Sequence, residues 1–252
     1  MQTKINNLLK NPLVMGTLII TISTNLLNIF SYLFQYIMLR ALTPEHFKLL
    51  FSLFALMSII TVFSSVMSQV AVKTASKLKA KQDFEHLTGL FSQLMKINIV
   101  FGTLILLVFF LFTNFISVFL NIPAEFIKLF SIFLFVAVVA GLPSAFLSGL
   151  LRFKSYGFVT VLAGVFKVLF PVIAVWLGYE ISGVIMGLTL GAIASGITAY
   201  ILLQKNLNYI ILASFHSSTH ISHQALSLSF IIFYPYFYIT YFFALLPLYL
   251  YL

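Results

Sequence analysis

One lysine interrupts an otherwise apolar part of the chain. Lys167 lies within the apolar run 158–177. It follows Gly157 by about ten residues, which corresponds to roughly mid-depth in a bilayer at about 1.5 Å per residue. A charged side chain near the centre of a membrane helix costs on the order of 3 kcal/mol, so such a lysine is a functional candidate, here for contact with an anion. The alternative is that the helix is shifted and Lys167 extends to the membrane surface.

Other polar residues lie at the ends of apolar runs or within them. Arg152 and Lys154 occupy a short basic turn before the run that holds Lys167, and Arg40 follows the first run. These cations could contact an anion or could only fix the membrane topology. For Arg40 the second possibility is an outer-interface anchor, paired with Glu45. Three side-chain amides fall close to one face of the first run and could bind a polar ligand or hydrogen-bond to neighbouring helices. They are Asn25, Asn28 and Gln35.

The composition is that of a polytopic membrane protein. Of 252 residues, 62% are hydrophobic and 8% are charged, and the mean hydropathy is +1.11. A soluble domain of this size carries far more charge. The net charge of +9 does not indicate nucleic-acid binding, because the cations fall in segments that flank the membrane. The chain has no cysteine, which excludes disulfide, zinc–thiolate and iron–sulfur sites.

Six apolar runs are each long enough to cross a bilayer, since a crossing needs about 20 residues. The sequence therefore predicts an all-α, polytopic transmembrane helix bundle within residues 1–205, with a polar loop containing the lysines of 73–81. The predicted spans are 13–38, 47–72, 97–119, 129–151, 158–177 and 181–203. Thr43 is the expected N-cap of the second span, with Pro44 at its first position. A face of small residues in the sixth span, with Gly183, Gly187, Gly191 and Gly196, predicts close helix packing.

The distribution of cations predicts the orientation. With the N-terminus in the cytoplasm, Arg40, Lys48 and Lys128 lie outside. Nine other cations lie inside: Lys4, Lys10, Lys73, Lys77, Lys79, Lys81, Arg152, Lys154 and Lys205. This excess predicts a cytoplasmic N-terminus.

Residues 206–252 differ from the rest of the chain, because they contain no Lys, Arg, Asp or Glu. They could form a seventh span, roughly 226–252, and the abrupt change in composition favours a frameshifted or truncated end instead. His216, His220 and His223 have the spacing of metal ligands on a helix, but no carboxylate accompanies them, and we predict no metal site.

Two polar junctions resemble those of a known family. The first is Asn25-Leu26-Leu27-Asn28 leading to the segment 39–47 (LRALTPEHF), and the second is the segment 147–157 (LSGLLRFKSYG). Over residues 13–203 the chain resembles the N-terminal half of the oligosaccharide flippase, or polysaccharide biosynthesis membrane protein, family. This family lies within the multidrug/oligosaccharidyl-lipid/polysaccharide exporter superfamily. The resemblance implies two pseudo-symmetric lobes of helices around a central cavity, of which this chain supplies about one.

The resemblance also implies a function and its site. The expected activity is movement of a lipid-linked oligosaccharide, the repeat unit of a polysaccharide such as O-antigen or capsule, across the cytoplasmic (inner) membrane. Membrane lipids and polysaccharide assembly proteins are the other expected partners. Lys167, Arg152 and Arg40 would contact the pyrophosphate, and Asn25, Asn28 and Gln35 the sugars.

Three alternatives remain open: an inactive truncated product, a multidrug or cation antiporter of the same superfamily, and a non-catalytic membrane assembly partner. The carboxylates, expected only in loops, disfavour a proton-coupled drug antiporter. They are Glu45, Asp83, Glu85, Glu125 and Glu180. No enzyme motif and no cofactor-binding motif is present, so we do not expect an enzyme.

Overall fold

The computed structural model describes residues 12–81 and 83–206, and all regular structure in these residues is α-helical. The helices are α1 (Pro12–Ala41), α2 (Pro44–Ala80), α3 (Phe84–Leu111), α4 (Thr113–Leu120), α5 (Ala124–Gly149), α6 (Phe153–Trp176) and α7 (Glu180–Asn206). Six of them, all except α4, are long and apolar enough to cross a membrane. The predicted all-α, six-span architecture is confirmed. The segment 207–252, with its three histidines and the proposed seventh span, lies outside the described residues.

The predicted loop around residues 73–81 is wrong. α2 continues through Lys73, Lys77 and Lys79 and ends at Ala80. Alanine and lysine are strong helix formers, so the helix extends past its apolar part into water. α3 follows almost at once, because the side chain of Asp83 accepts a hydrogen bond from the backbone N–H of His86 and caps the new helix. The helix of the third span therefore begins at Phe84, well before the predicted span start at residue 97.

The carboxylates that were expected in loops lie at helix starts instead. Glu45, Glu125 and Glu180 each occupy the first turn of their helix, where a negative charge complements the positive end of the helix dipole. The predicted cap at Thr43 is confirmed, since its hydroxyl accepts a hydrogen bond from the backbone N–H of His46. Pro44 occupies the first helical position, as expected.

α5 is the central helix of the bundle. It packs against α2, α3 and α7, and less extensively against α4 and α6. α1 packs chiefly on α6, and α6 packs on α7, whereas α1 and α2 scarcely touch. The five helices α1, α6, α7, α5 and α2 therefore form a ring that is open between α1 and α2.

The predicted close-packing face of α7 is confirmed. A Cβ atom at Gly187 would lie 2.5 Å from the backbone nitrogen of Pro171, and one at Gly191 would lie 3.2 Å from the carbonyl oxygen of Phe166. Glycine at these positions lets the backbones of α6 and α7 approach more closely than any larger residue would allow.

Two apolar clusters fill opposite ends of the bundle. One cluster joins the end of α1 and the starts of α2 and α7 through Met38, Leu50 and Val184, which are fully buried. The other joins the end of α2, the start of α3 and the ends of α5 and α7 through Ala75 and Phe146. We call the first the Arg40 end and the second the lysine end.

A long-range hydrogen bond ties the lysine end together. The Nζ of Lys79, near the end of α2, donates to the backbone carbonyl of Leu150 at the end of α5. The lysines of α2 and the basic turn that holds Arg152 therefore lie at the same end of the bundle. This agrees with the alternation of spans on which the predicted orientation depends.

Candidate functional site

A cavity of about 480 Å³ lies inside the ring of α1, α2, α5, α6 and α7. Most of its lining side chains are aliphatic or aromatic, including Phe34, Phe54 and Phe133. Its polar lining residues are Gln35, Ser144, Tyr156, Thr160, Lys167 and Ser195. A mostly apolar cavity with a few polar groups is typical of a ligand site.

Lys167 contributes the single charged side chain to this lining. Its Nζ donates a hydrogen bond to the Oγ of Ser31 on α1 at 3.0 Å, and it lies 5.8 Å from the centroid of the buried Phe34 ring. The ammonium is thus held between α6 and α1 by a neutral hydroxyl and the face of an aromatic ring. Neither partner neutralises its charge.

Small residues of α6 set this arrangement. A Cβ atom at Gly157 would lie 2.8 Å from the Cγ2 of Ile19, and one at Gly164 would lie 2.8 Å from the Cδ2 of Phe30. The two glycines allow α1 to lie directly on α6. This contact brings Ser31 opposite Lys167.

The charge of the cavity is positive. No Asp or Glu lines it, and the described carboxylates lie at helix starts or, for Asp83, in the N-cap of α3. An anionic group that entered the cavity would meet a cation, whereas the hydroxyls of Ser144, Thr160 and Ser195 already donate to backbone carbonyls of their own helices. A cationic ligand would be repelled by Lys167, although the aromatic rings of the lining would attract it.

The structure divides the predicted amide residues of α1. Gln35 lines the cavity. Asn25 and Asn28 lie on the exposed side of α1, and the Nδ2 of Asn25 donates to the carbonyl of Thr21 in its own helix at 2.9 Å. Of the three amides, only that of Gln35 therefore lines the same cavity as Lys167.

The predicted arginines lie outside the cavity, at opposite ends of the bundle. Arg152 is exposed in the turn between α5 and α6, and Lys154 is exposed in the first turn of α6. Arg40 is exposed at the end of α1, with its guanidinium 5.4 Å from the centroid of the Tyr36 ring. Arg40, Arg152 and Lys154 are therefore not part of the cavity lining.

Sequence reasoning missed the hydrogen-bond partner of Lys167 and three hydroxyl residues of the cavity lining. Ser31 lies on the same face of α1 as Gln35, four residues earlier, so helical spacing could have identified it. Ser144, Thr160 and Ser195 carried no comparable signal, because single hydroxyl residues are common in membrane helices. Their convergence follows only from the packing of three different helices.

No metal-binding cluster of three or more His, Asp or Glu side chains occurs in the described part of the chain. The histidines at 216, 220 and 223 lie outside it.

Comparisons with known proteins agree with the architecture. The family model for "Polysaccharide biosynthesis protein" matches residues 13–250. A sequence search of curated proteins found no match.

Solved structures with the same fold are transporters. An outward-facing multidrug resistance MATE family transporter of the MOP superfamily matches with a TM-score of 0.75 and 14% identity, over 91% of this chain and 52% of that chain. A MOP superfamily transporter from Pyrococcus furiosus, whose binding pocket is described as having reverse polarity, matches with a TM-score of 0.74 and 15% identity over the same shares. A MATE transporter in the straight conformation matches with a TM-score of 0.73 and 17% identity, over 87% of this chain and 51% of that one.

The chain spans about half the length of each of these structures, so its fold resembles one half of theirs. The expectation of a single-lobe, multi-pass membrane fold is confirmed. With the family match over nearly its whole length, the chain belongs to the polysaccharide biosynthesis protein family of membrane proteins.

Proposed function

We propose that this chain is a lobe of a transporter that moves a lipid-linked oligosaccharide across the cytoplasmic membrane, and that Lys167 contacts the phosphate groups of that substrate. The observation that carries the proposal is the one charged side chain of the lining, which has no acidic partner, on the wall of a mostly apolar cavity. Such a charge is costly within a membrane unless a ligand or a polar partner uses it. Family membership supplies the polysaccharide context.

The cavity size limits what one lobe binds. A volume of about 480 Å³ is near the lower end of the roughly 300–1,000 Å³ range of small-molecule sites. It is large enough for a diphosphate and adjacent groups, but not for a whole oligosaccharide. The rest of the substrate would contact a second lobe, which agrees with the half-length match to the solved transporters.

The remaining predicted residues fit supporting roles. Arg152 and Lys154, exposed at the lysine end, are placed to attract an anionic head group at the cytoplasmic surface. Gln35 offers hydrogen bonds to sugar or phosphate oxygens within the cavity. The hydroxyls of Ser144, Thr160 and Ser195 donate to their own helices, so they would accept hydrogen bonds from sugar hydroxyls. Asn25 and Asn28 would contact the substrate only across the face that α1 leaves uncovered.

Multidrug export is the second candidate, and the fold of the solved relatives favours it. The charge of the cavity argues against cationic drugs, because Lys167 would repel them and no described carboxylate in the lining would attract them. The binding experiment below therefore includes a cationic dye.

The test is binding of farnesyl diphosphate to the purified chain in detergent, measured by isothermal titration calorimetry. Loss of a charge-assisted hydrogen bond costs about 1.5–3 kcal/mol. We therefore expect Lys167→Gln to weaken binding by about 10- to 100-fold. Lys167→Arg should retain most of the affinity, because it keeps the cation.

Controls separate the site from general attraction. Lys48→Gln removes an exposed lysine outside the cavity and should leave affinity unchanged. Farnesol, which has the same tail without the diphosphate, should bind equally to the parent chain and Lys167→Gln. Equal diphosphate affinity in the parent and Lys167→Gln, or tight binding of ethidium by the parent chain, would overturn the assignment.

A further inference from the structure

At the Arg40 end, a histidine and a glutamate join two helices that otherwise have little contact. The Nδ1 of His46, in the first turn of α2, lies 3.2 Å from the Oε2 of Glu180 at the start of α7. α2 and α7 meet only over a short stretch. The pair therefore adds a polar contact to the apolar packing between the two helices.

The pair lies beside the apolar cluster of the Arg40 end, which borders the cavity and which we call the apolar seal. On α2, helical spacing places His46, Leu50 and Leu53 on one face, and on α7 it places Glu180, Val184 and Leu188 on one face. Leu50, Leu53 and Val184 are buried in the apolar cluster of the Arg40 end. Leu188 also lines the cavity, so the two faces lead from the ion pair inward to the cavity wall.

The chemistry of the pair depends on protonation. The Nδ1 atom of His46 is shielded from solvent and makes no hydrogen bond of regular geometry, so the Glu180 carboxylate is its polar neighbour. A protonated imidazole attracts this carboxylate, and a neutral one does so much less. Histidine ordinarily changes charge between about pH 5 and 8, where carboxylates stay ionised.

Other ionisable groups near this end do not replace Glu180. On α2, Glu45 and Lys48 flank His46 in sequence and are exposed. Arg40 of α1 lies over the Tyr36 ring, and Lys128 of α5 lies 5.5 Å from the centroid of the Phe110 ring. Glu125 of α5 and Tyr179 of the α6–α7 turn are exposed. Among the described residues, Glu180 is the acid within ion-pair distance of His46.

The backbone at Glu180 supports a specific role. Glu180 has φ +38°, in the left-handed region that residues other than glycine rarely adopt, directly after a turn in which Gly178 has φ +88°. This conformation directs the start of α7 after a tight turn and is retained only where surrounding contacts fix it.

We propose that the His46–Glu180 pair is a pH-sensitive latch that closes the cavity at the Arg40 end. When His46 is protonated, the ion pair holds α2 against α7 above the apolar seal. When His46 loses its proton, the latch weakens and the cavity becomes accessible from that side. This inference goes beyond the proposed transport activity, because it concerns access to the cavity whatever the substrate is.

The test uses the absence of native cysteines. A single reporter, Ala192→Cys, places a nearly isosteric thiol in the cavity wall. The full chain is reconstituted in liposomes, and a membrane-impermeant maleimide is applied to the face that carries His46. Labelling rates are divided by those of Leu177→Cys, an exposed position at the same end, to remove the pH dependence of the thiol reaction.

We expect the normalised labelling rate to rise about two- to fivefold from pH 5.5 to pH 8. The change is modest because a partly exposed ion pair contributes little to stability. Glu180→Gln should label fast at both pH values, and His46→Lys, with a permanent cation, should label slowly at both. His46→Gln provides a second neutral variant in case Glu180→Gln does not fold, and should label fast at both. The matched control Glu125→Gln should keep the pH response of the parent.

The same pH response in the parent, Glu180→Gln and His46→Gln would overturn the latch. A pH response that persists in His46→Lys would do so as well. Because no substrate is added, these outcomes do not depend on whether the chain binds diphosphates.

Discussion

The ammonium of Lys167 is stabilised by weak partners, and this distinguishes it from a structural lysine. A lysine that serves only packing is normally paired with an acid or extended to the membrane surface. Lys167 instead has a hydroxyl and an aromatic ring as neighbours, and it lines the cavity. An anion that enters could therefore pair with the ammonium without first breaking a salt bridge.

Asp83 is a second residue whose charge has a defined task, in this case outside the membrane. The His86 side chain, whose Nδ1 lies 2.8 Å from Oδ1, and the His86 backbone N–H lower the pKa of Asp83 below its ordinary value of 3.8. A lowered carboxyl pKa contributes stability above the ordinary value, and this contribution is lost as the pH falls through the folded-state pKa. We therefore expect stability to fall below about pH 3.8 in the parent.

Asp83→Asn keeps a side-chain acceptor for the cap but removes the titrating charge, so this acid-induced loss should be smaller. Melting temperatures between pH 2.5 and 5, compared with those of Asp83→Ala, measure the effect. Parallel curves for the parent and Asp83→Asn would contradict the assigned role of the charge.

At the scale of helices, the apolar runs predicted where each helix crosses the membrane but not where that helix begins and ends. The spans were predictable because each needs about 20 apolar residues. The end of α2 was not predictable in this way, because Lys73, Lys77 and Lys79 suggested a loop. These residues form helix because a polar helix is stable where it leaves the membrane. The short break at Phe112 separates α3 from α4, and no glycine or proline there predicts it.

The contact between α6 and α7 gives a prediction about stability. Gly187→Ala would place a methyl group against the backbone of Phe170 and Pro171, and overpacking of this kind typically costs about 1–3 kcal/mol. We expect a lower melting temperature, measured in detergent through the fluorescence of the single tryptophan, Trp176.

Gly141→Ala is the matched control, because a Cβ atom there meets no atom within 4 Å. It should be neutral or stabilise the protein by about 0.4–1 kcal/mol. Equal stabilisation by both substitutions would show that helix propensity, rather than close packing, governs the two sites.

At the scale of the whole molecule, the ring of five helices determines which residues meet. The sequence identified Lys167 and Gln35 as candidates, but their neighbours depend on how α1 lies on α6. The small residues that permit this contact lie in α6, far from α1 in the sequence. The same limit explains why Arg40, Arg152, Asn28 and Asn25 could not be separated from the cavity residues in advance. Polarity within a helix indicates that a partner exists, without indicating which helix supplies it.

The topology can be tested independently of function. Because Lys79 bonds to Leu150, Lys77 and Arg152 should lie on the same side of the membrane, and Lys48 on the other. Single-cysteine variants Lys77→Cys, Arg152→Cys and Lys48→Cys in intact cells, labelled with an impermeant maleimide before and after permeabilisation, report the side. Positive-inside counting predicts that only Lys48→Cys reacts before permeabilisation. Labelling of Lys77→Cys and Arg152→Cys on different sides would contradict both the fold and the orientation.

The length of α2 has a consequence for the lipid environment. Its charge-free portion, residues 49–72, extends about 36 Å along the helix axis, whereas a typical hydrocarbon core is about 30 Å thick. The whole stretch fits within the hydrocarbon only if the helix tilts or the surrounding bilayer thickens, and otherwise its ends lie in the headgroup region. Since α2 carries His46 at one end and Lys79 at the other, acyl-chain length would alter the angle at which it crosses α7 and α5. Membrane thickness thereby becomes a mechanical variable acting on both ends of the cavity.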